Sequence, residues 1–357
     1  MAAGDFTASE LGAITLKAEQ VWRDSALFQQ RTTQAEAARA VLENQTATFR
    51  EFDDYKKDKK VVVTWLDTCD LDVDDCTTNC DIVEDELESK SQELEPTICK
   101  RAGFSVDETK IRKGSYEMTE QYAVGLAASI KKLDEYWART VIANLKTFAG
   151  TNVYPNPWTF DAGDNVTLIP EDEYNLQMYA HLLIQAQMNQ LGNPYFIENG
   201  MLSADIINAQ LNAGNLDGKG DLNRLNQINM YNDLINFGRA GVSEKLFAIG
   251  AGAVAMKTIN KHPDRPLDLR GNVNKTIYRV NSRTLPGVQY DVHYQFSCDT
   301  VEGETHYKHN WRLETHGGIW LNPDACEVTV GDATGKPTGV LMYDTVVPSN
   351  GGNDEEE

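Results

Sequence analysis

The strongest constraint on the fold is an amphipathic pattern that runs through residues 115–149 without a break. Apolar residues recur every three or four positions and form one stripe: Leu126, Ile130, Leu133, Trp137, Val141, Leu145 and Phe148. This spacing predicts a single α-helix that buries one face, with Gly150 as its C-terminal stop. A rise of about 1.5 Å per residue makes the helix a rod of about 50 Å, which is long enough to be an architectural spine.

The C-terminal part of the chain has the alternation that is typical of antiparallel strands. Apolar and polar residues alternate over residues 290–298 and again over residues 307–313. Gly317-Gly318 and Asn322-Pro323 are expected to form turns, and Gly339–Val347 reads as a late strand. Together with the long helix, these segments predict an α+β fold.

Shorter patterns predict the remaining elements. Residues 8–55 have helical spacing and are expected to form a helical arm, and Val61–Leu66 is rich in β-branched residues, which favour a strand. Pro170-Glu171-Asp172 should open a helix over Glu173–Leu191. Three further segments are expected to be a strand, a helix and a partly helical region, respectively: Pro194–Ile197, Ser203–Leu211 and Leu222–Phe237.

Val242–Ile259 is the most apolar stretch of the chain and is dense in Gly and Ala. We expect a buried strand followed by a helix, with Gly250, Ala251, Gly252 and Ala253 allowing two backbones to approach closely. It contains no catalytic motif.

Charge is concentrated in one short segment. The chain has a formal net charge of -21, and twelve Asp or Glu residues but one basic residue, Lys90, lie between Asp67 and Glu95. So acidic a protein is unsuited to wrapping DNA or RNA, because phosphate contacts need clustered Lys and Arg. We predict a solvated or extended loop that meets basic residues of a neighbouring molecule, with Lys56–Lys60 and Arg112-Lys113 as candidates.

The sequence contains no signal of export or membrane insertion. The N-terminus lacks the basic and apolar regions of a signal peptide. No window approaches 18 uncharged apolar residues, so no membrane association is expected.

Four cysteines are weak candidates for a metal site: Cys69, Cys76, Cys80 and Cys99. Cys76 and Cys80 have a spacing that zinc ligands use, and the other two would complete a tetrahedron. The neighbouring aspartates disfavour the thiolates that zinc needs, so reduced thiols are expected first, with disulfides and zinc as alternatives. Cys298 lies in an alternating strand and is expected in the core.

Three other patterns resemble sites but fail on geometry or sequence. His306 and His309 are three residues apart in a predicted strand, so they point to opposite faces, and His309 should be a hydrogen-bonded core residue. Residues 331–337 are one residue short of a phosphate-binding loop and end in Pro337. Residues 217–221 lack the final Glu of a calcium loop.

No motif of a hydrolase, a zinc protease or a dinucleotide-binding enzyme occurs. We therefore predict that the chain is not an enzyme and needs no cofactor.

The order of these parts resembles the major capsid protein of tailed bacteriophages, the Hong Kong 97-type fold. The resemblance is carried by Tyr116–Phe148 as a spine helix, by Pro194–Ile197 with Ser203–Leu211, and by Leu246–Met256 with the strands that follow and Thr338–Leu341. It implies six parts: a helical N-terminal arm (1–57), an extended acidic, Cys-bearing loop (58–110), a peripheral domain with the spine helix (111–150), an axial domain (151–260), strands shared by both domains (261–347) and a flexible acidic tail (348–357).

The resemblance implies a subunit that assembles as hexamers and pentamers into an icosahedral shell around double-stranded DNA. Portal, scaffolding and decoration proteins would be its partners, the virion capsid its location and the host cytoplasm its place of assembly. Two alternatives stay open at this point. One is an encapsulin-like compartment, and the other is a hydrolase or carbohydrate-binding protein that uses Tyr290, Tyr294, Trp311 and Trp320.

Overall fold

The computed structural model describes residues 8–24, 34–51, 60–66, 89–108, 118–202, 204–205, 229–261, 267–268, 275–301, 304–323, 328–335 and 337–346. The helices are α1 (Ala8–Asp24), α2 (Glu36–Asn44), α3 (Met118–Phe148), α4 (Met178–Met188) and α5 (Leu234–Ala240). The strands are β1 (Thr48–Glu51), β2 (Val61–Leu66), β3 (Ser89–Leu94), β4 (Ile98–Asp107), β5 (Thr159–Asp161), β6 (Val166–Pro170), β7 (Tyr195–Glu198), β8 (Met230–Asn232), β9 (Leu246–Ile249), β10 (Val254–Ile259), β11 (Leu267–Asp268), β12 (Lys275–Asn281), β13 (Gln289–Val301), β14 (Glu304–Leu321), β15 (Val328–Val330), β16 (Ala333–Gly335) and β17 (Val340–Val346). The predicted α+β class is confirmed.

The long helix α3 is confirmed and is the centre of the main core. It contains 31 residues, and the six residues of its stripe from Leu126 to Leu145 are all buried. Its length is about 46 Å at the standard rise. After its end at Phe148, the backbone N–H of Gly150 donates to the carbonyl of Val340 at 3.0 Å, which ties the helix to a strand of a sheet.

A six-stranded sheet, here called the long sheet, packs against α3 and has the order β10-β14-β13-β12-β11, with β4 also paired to β14. The predicted alternation is confirmed, because Tyr290, Val292, Tyr294, Trp311 and Leu313 are buried in one cluster with α3. The face that carries these side chains is called the inner face.

The expectation of a turn at Gly317-Gly318 is wrong, because both glycines lie inside β14. A Cβ at Gly317 would collide with the carbonyl oxygen of Lys257 and would lie 3.0 Å from the ring of Trp137. The glycine is there because the neighbouring strand and α3 approach its backbone closely.

A second six-stranded sheet, the mixed sheet, has the order β5-β6-β17-β9-β7-β8. β17 pairs parallel with β6 and antiparallel with β9. Helix α4 covers one face, where Met178, Leu182 and Ala186 meet the sheet, and α3 lies on the other face. The strands predicted at residues 194–197 and 339–347 are confirmed as β7 and β17.

Residues 242–259 form two strands, so the expected helix after the first strand is wrong. β9 belongs to the mixed sheet and β10 to the long sheet, and the chain turns between them at residues 250–253. β10 is buried on both faces, so its residues show no alternation that would distinguish a strand from a buried helix. Its Val, Thr and Ile residues favour the strand.

Helix α4 begins at Met178, five residues later than the helix predicted over Glu173–Leu191. Glu171–Glu173 form one turn of 3-10 helix instead. The side-chain oxygen of Asn175 accepts a hydrogen bond from the backbone N–H of Gln177 at 2.9 Å. Such local bonds from Asn compete with helical hydrogen bonds and delay the start of the helix.

A three-stranded sheet, the small sheet, has the order β1-β2-β3. Leu66 is paired with Ser89, so the chain leaves and re-enters the small sheet at one point, and residues 67–88 lie outside the described residues. The helical arm predicted over residues 8–55 is confirmed for α1 and α2 but is wrong at Thr48–Glu51, which pairs with β2 as a strand. Only Met201, Leu202, Ala204 and Asp205 are described around the predicted helix Ser203–Leu211.

The small sheet covers the outer face of the long sheet. Val61, Val63 and Trp65 pack in one cluster with Ala255 and Ile259 of β10. Met256, which lies between them in sequence, belongs to the cluster around α3. Because successive residues of a strand point to opposite faces, the small sheet and α3 lie on opposite sides of the long sheet.

Candidate functional site

Only one of the four candidate cysteines lies in the described part of the chain. Cys99 is an exposed free thiol on β4, whereas Cys69, Cys76 and Cys80 lie outside the described residues, so the zinc and disulfide alternatives stay predictions. Among the described residues, no three His, Cys, Asp or Glu side chains are arranged to hold a metal ion.

Cys298 is exposed, so its predicted place in the core is wrong. Alternation correctly gave the strand, but the core ends before this point of β13. Tyr294 is buried, whereas Phe296 is half-buried and Cys298 is open to solvent.

The two histidines behave as predicted. His309 is buried and lies with Nδ1 2.8 Å from the hydroxyl of Tyr294 and Nε2 2.9 Å from Glu108 Oε1. His306 points to the other face, where its Nδ1 is 2.8 Å from Asp107 Oδ2. His309 is therefore a hydrogen-bonded core residue, and the pair cannot share one metal.

The aromatic residues considered for sugar binding form core instead. Tyr290, Tyr294 and Trp311 are buried under α3. Trp320 is half-buried on the outer face, where its ring lies 6.4 Å from that of Phe49. None of the three buried rings can stack on a carbohydrate.

The segment considered as a phosphate loop is a short hairpin. β15 and β16 pair across Gly331, which has a φ of 62°. A tight turn between two strands presents no row of N–H groups at a helix start, as phosphate binding would require. Residues 217–221 lie outside the described residues.

A buried carboxyl in the middle of α3 was missed by sequence reasoning. Asp134 is completely buried, and its Oδ1 accepts a hydrogen bond from the Tyr290 hydroxyl at 2.5 Å. Burial raises the pKa of Asp134 from 3.8 to about 7. Hydrogen bonds with Tyr290, Ser282 and Thr284 lower this pKa, but burial is the larger effect. The available signal was an acidic residue placed between Ile130 and Trp137 on the apolar stripe.

A cluster of charges on the outer face of the long sheet surrounds Glu314. Its Oε2 lies 3.2 Å from His293 Nε2 and 3.8 Å from His316 Nε2, and its Oε1 lies 2.8 Å from Arg312 Nε. Burial opposes ionisation, but the charges of His293, Arg312 and His316 outweigh it and lower the pKa of Glu314. Burial, with help from Lys261, lowers the pKa of His316. The cluster ties β13 to β14, and its histidine and arginine partners occupy the carboxylate.

Among the described residues, the end of the β13–β14 hairpin is the part of the long sheet with the fewest neighbouring strands. Pairing of β13 with β12 ends at Gln295, and pairing of β14 with β4 ends at Lys308. Beyond these points the two strands pair only with each other among the described strands. We call residues 296–301 and 304–307 the projecting ribbon. A two-stranded ribbon is marginally stable in water, and this one exposes Cys298, Thr300 and Thr305.

Within the part of the chain that the structure describes, no helix combines the length and hydropathy that a membrane crossing needs.

Comparison with known proteins gave structural neighbours but no sequence relatives. No family model matches the chain, and no curated protein does. The capsid structure of the cyanophage P-SCSP1u is similar at 9% identity and a TM-score of 0.41, covering 84% of this chain and 90% of that chain. The capsid of Ralstonia phage GP4 is similar at 12% identity and a TM-score of 0.41, covering 82% of this chain and 85% of that chain.

A third neighbour is the capsid asymmetric unit of cyanophage Pam1, at 10% identity and a TM-score of 0.44, covering 87% of this chain and 91% of that chain. These identities and TM-scores are too low to establish a shared fold. The function proposed next therefore rests on the chain's own geometry.

Proposed function

We propose that the chain is the major capsid protein of a tailed bacteriophage, with the Hong Kong 97-type fold. Its work would be to form hexamers and pentamers that close into an icosahedral shell around double-stranded DNA. The role is structural and needs neither catalysis nor a cofactor.

The observation that carries the proposal is the end of the β13–β14 hairpin. Among the described strands, none lies beside the projecting ribbon beyond Gln295 and Lys308. Elements of this kind bury their surface against other copies in obligate assemblies, where interfaces are large. Symmetric closure lets many such contacts add.

The two proposed domains follow the arrangement of the sheets, with β4 and β10 assigned to the peripheral domain instead of to the extended loop (58–110) and the axial domain (151–260). Helix α3 with the long sheet would be the core of the peripheral domain, and the mixed sheet with α4 would be the axial domain. Residues 261–347 would serve both, because they supply β12–β14 to one sheet and β17 to the other. The chain would pass from one domain to the other at residues 250–253, which connect the end of β9 to the start of β10.

The partners follow from the same proposal. Copies of the chain would be the main partners, with portal, scaffolding and decoration proteins at defined places of the virion, after assembly in the host cytoplasm. The net charge of -21 supports a wall that encloses DNA without binding it specifically, because like charges repel. An encapsulin-like compartment would share the shell but would hold protein.

Electron microscopy of the purified chain, expressed alone and with candidate scaffolding protein, tests the proposal. Closed shells or free hexamers and pentamers are the expected result, and nucleic acid inside virion-derived shells would separate a capsid from a protein-filled compartment. A monodisperse monomer under all of these conditions would refute both. The carbohydrate-binding alternative is not favoured, because three of the four aromatic residues that would stack on a sugar, Tyr290, Tyr294 and Trp311, are buried.

A further inference from the structure

The turn that follows β7, at the end of the mixed sheet, contains the pair Asn199-Gly200. Both residues are half-buried, and Met201 after them is exposed. An asparagine that precedes glycine can react with its own backbone, because glycine has no Cβ that would block the approach of its nitrogen to the side-chain amide. The product of this reaction is a five-membered succinimide ring.

The structure places a carboxylate on the nitrogen that would react. Glu198 is completely buried, and its Oε2 accepts a hydrogen bond from the backbone N–H of Gly200 at 2.7 Å. The same oxygen accepts from the backbone N–H of Leu202 at 3.2 Å, which holds the carboxylate in place. A general base must lie about 2.6–3.2 Å from the atom whose proton it takes, and Glu198 meets this condition.

The side chain of Asn199 folds over the same peptide. The backbone N–H of Met201 donates to Asn199 Oδ1 at 3.5 Å. This long hydrogen bond closes a ring of atoms that includes the nitrogen of Gly200, as in a turn formed by an asparagine side chain. Because the two reacting groups are held together in this way, part of the entropic cost of the reaction is removed.

Asn232 is an internal comparison at the end of the neighbouring strand β8, where it is paired with Glu198. Its Oδ1 accepts from the backbone N–H of Leu234 at 3.2 Å, so its side chain forms the same kind of turn. The N–H of the next residue, Asp233, donates to the backbone carbonyl of Glu198 at 3.0 Å. A peptide carbonyl is a far weaker base than a carboxylate, and Asp233 has a Cβ. Asn232 therefore lacks both features that favour the reaction of Asn199.

We propose that Asn199-Gly200 is a site of self-modification, at which Asn199 cyclises with Glu198 as the general base. The nitrogen of Gly200 attacks Cγ of Asn199 while its proton passes to Glu198 Oε2. The bond between Cγ and the amide nitrogen then breaks, and Glu198 returns the proton to the ammonia that leaves. Water hydrolyses the succinimide to aspartate or isoaspartate. Every reacting group belongs to one chain, so the reaction is independent of the proposed shell.

The modification changes this end of the mixed sheet. Hydrolysis adds one negative charge beside the buried carboxylate of Glu198, and like charges repel. The isoaspartate form also adds one atom to the backbone between β7 and Met201. Old and newly made subunits would thus differ in charge and chain path at one defined place.

Peptide mapping by mass spectrometry tests the site on the full chain, incubated at neutral pH either folded or unfolded in urea. Digestion at low pH prevents reaction during handling, and enzymatic methylation identifies isoaspartate. Asn199 is expected to react at least about tenfold faster in the folded protein than in urea, whereas Asn232 should not. An Asn-Gly pair without a base reacts fastest in an unfolded chain, so equal or slower reaction of folded Asn199 would overturn the proposal.

The sequence supplies a reference for the unfolded rate. Asn350-Gly351 is its second Asn-Gly pair and lies outside the described residues. In urea it should react at a rate similar to that of Asn199, because the neighbouring glycine is then the main determinant. Asn199→Ser should remove the product from the peptide that contains residue 199, which confirms the assignment of the mass change. If the product persists, the modified residue is another one, and the proposal is wrong.

Glu198→Gln tests the base. The glutamine oxygen can still accept the N–H of Gly200 but cannot take up its proton, so the folded rate at Asn199 should fall by at least about 10²-fold. Glu244→Gln is the matched control, because Glu244 is also buried but pairs with Lys146, and it should leave the rate unchanged. An unchanged rate in Glu198→Gln would refute the role of Glu198. If circular dichroism shows that this variant does not fold, the ratio of folded to unfolded rates in the wild type decides.

Discussion

The carboxylate of Asp233 accepts a hydrogen bond from the backbone N–H of Ala37 at 2.9 Å, across 196 positions of sequence. Ala37 lies in the first turn of α2, whose own N-cap residue, Ala35, makes no capping bond from its side chain. The other carboxylate oxygen accepts from Asn236 Nδ2 at 2.6 Å, and the same amide donates to the carbonyl of Gln34 at 2.7 Å. One side chain therefore caps the arm helix and fixes it to α5.

Replacing this cap should loosen the arm. Asp233→Ala is expected to lower the free energy of unfolding by about 1–2 kcal/mol, because an N-terminal N–H of α2 loses its acceptor in a buried place. Urea unfolding of the unassembled subunit measures the change. Asp233→Asn keeps one acceptor oxygen and should lose less. Equal stability of Asp233→Ala and the wild type would mean that another group takes over the cap.

The raised pKa of Asp134 predicts a pH dependence of stability. Its folded-state pKa of about 7 is above the ordinary 3.8, so the folded chain holds this proton more tightly. The contribution of protonated Asp134 to the free energy of unfolding is complete below about pH 4 and is lost as the pH rises to 7. Asp134→Asn removes the cost of ionisation. At pH 8 its free energy of unfolding, measured with urea, should exceed that of the wild type by up to about 4 kcal/mol.

At pH 4 the Asp134→Asn variant and the wild type should differ little, because both then carry a neutral group. Tyr290→Phe is the matched control. Removing the hydroxyl that lowers the pKa of Asp134 should move the loss of stability to higher pH. Parallel stability curves for Asp134→Asn and the wild type between pH 5 and pH 9 would contradict the assignment.

Local pattern predicted the elements that bury one face, and long-range contacts decided the others. The stripe on α3 and the alternation in β13 and β14 identified these elements correctly. β10 carries no such pattern because both of its faces are buried. The cap from Asp233 joins positions that no short window contains. Alternation also cannot tell how far a core extends, which is why Cys298 was misplaced.

The candidate surfaces could likewise be predicted only in part from the sequence. The acidic segment can be read directly from the sequence, because charge is a property of composition. The contact of Lys100 with Tyr136 cannot, because the two residues meet only after β4 packs beside α3. The ribbon becomes apparent only when the ends of pairing at Gln295 and Lys308 are compared.

The turn between β9 and β10 gives a matched pair of glycine substitutions. Gly252 has a φ of 81°, and a Cβ there would collide with the side chain of Thr46, whereas a Cβ at Gly250 would make ordinary contacts at 3.6 Å. Gly252→Ala should cost about 1–3 kcal/mol of unfolding free energy and Gly252→Leu should block folding. Gly250→Ala should be nearly neutral. Thermal unfolding of the three variants measures these differences. Equal effects at the two glycines would contradict the close approach of Thr46 to Gly252.

The projecting ribbon allows stability and assembly to be separated. Cys298 is exposed and lies beyond the last pairing of β13 with β12, so Cys298→Arg should change the free energy of unfolding by no more than about 0.5 kcal/mol. In a shell the same position would face another copy, and a buried arginine without a partner is strongly unfavourable. Electron microscopy should then show few or no closed shells. Cys298→Ser, which keeps the size of the side chain, should assemble normally. Normal shells from Cys298→Arg would mean that the ribbon does not contact a neighbour at this position.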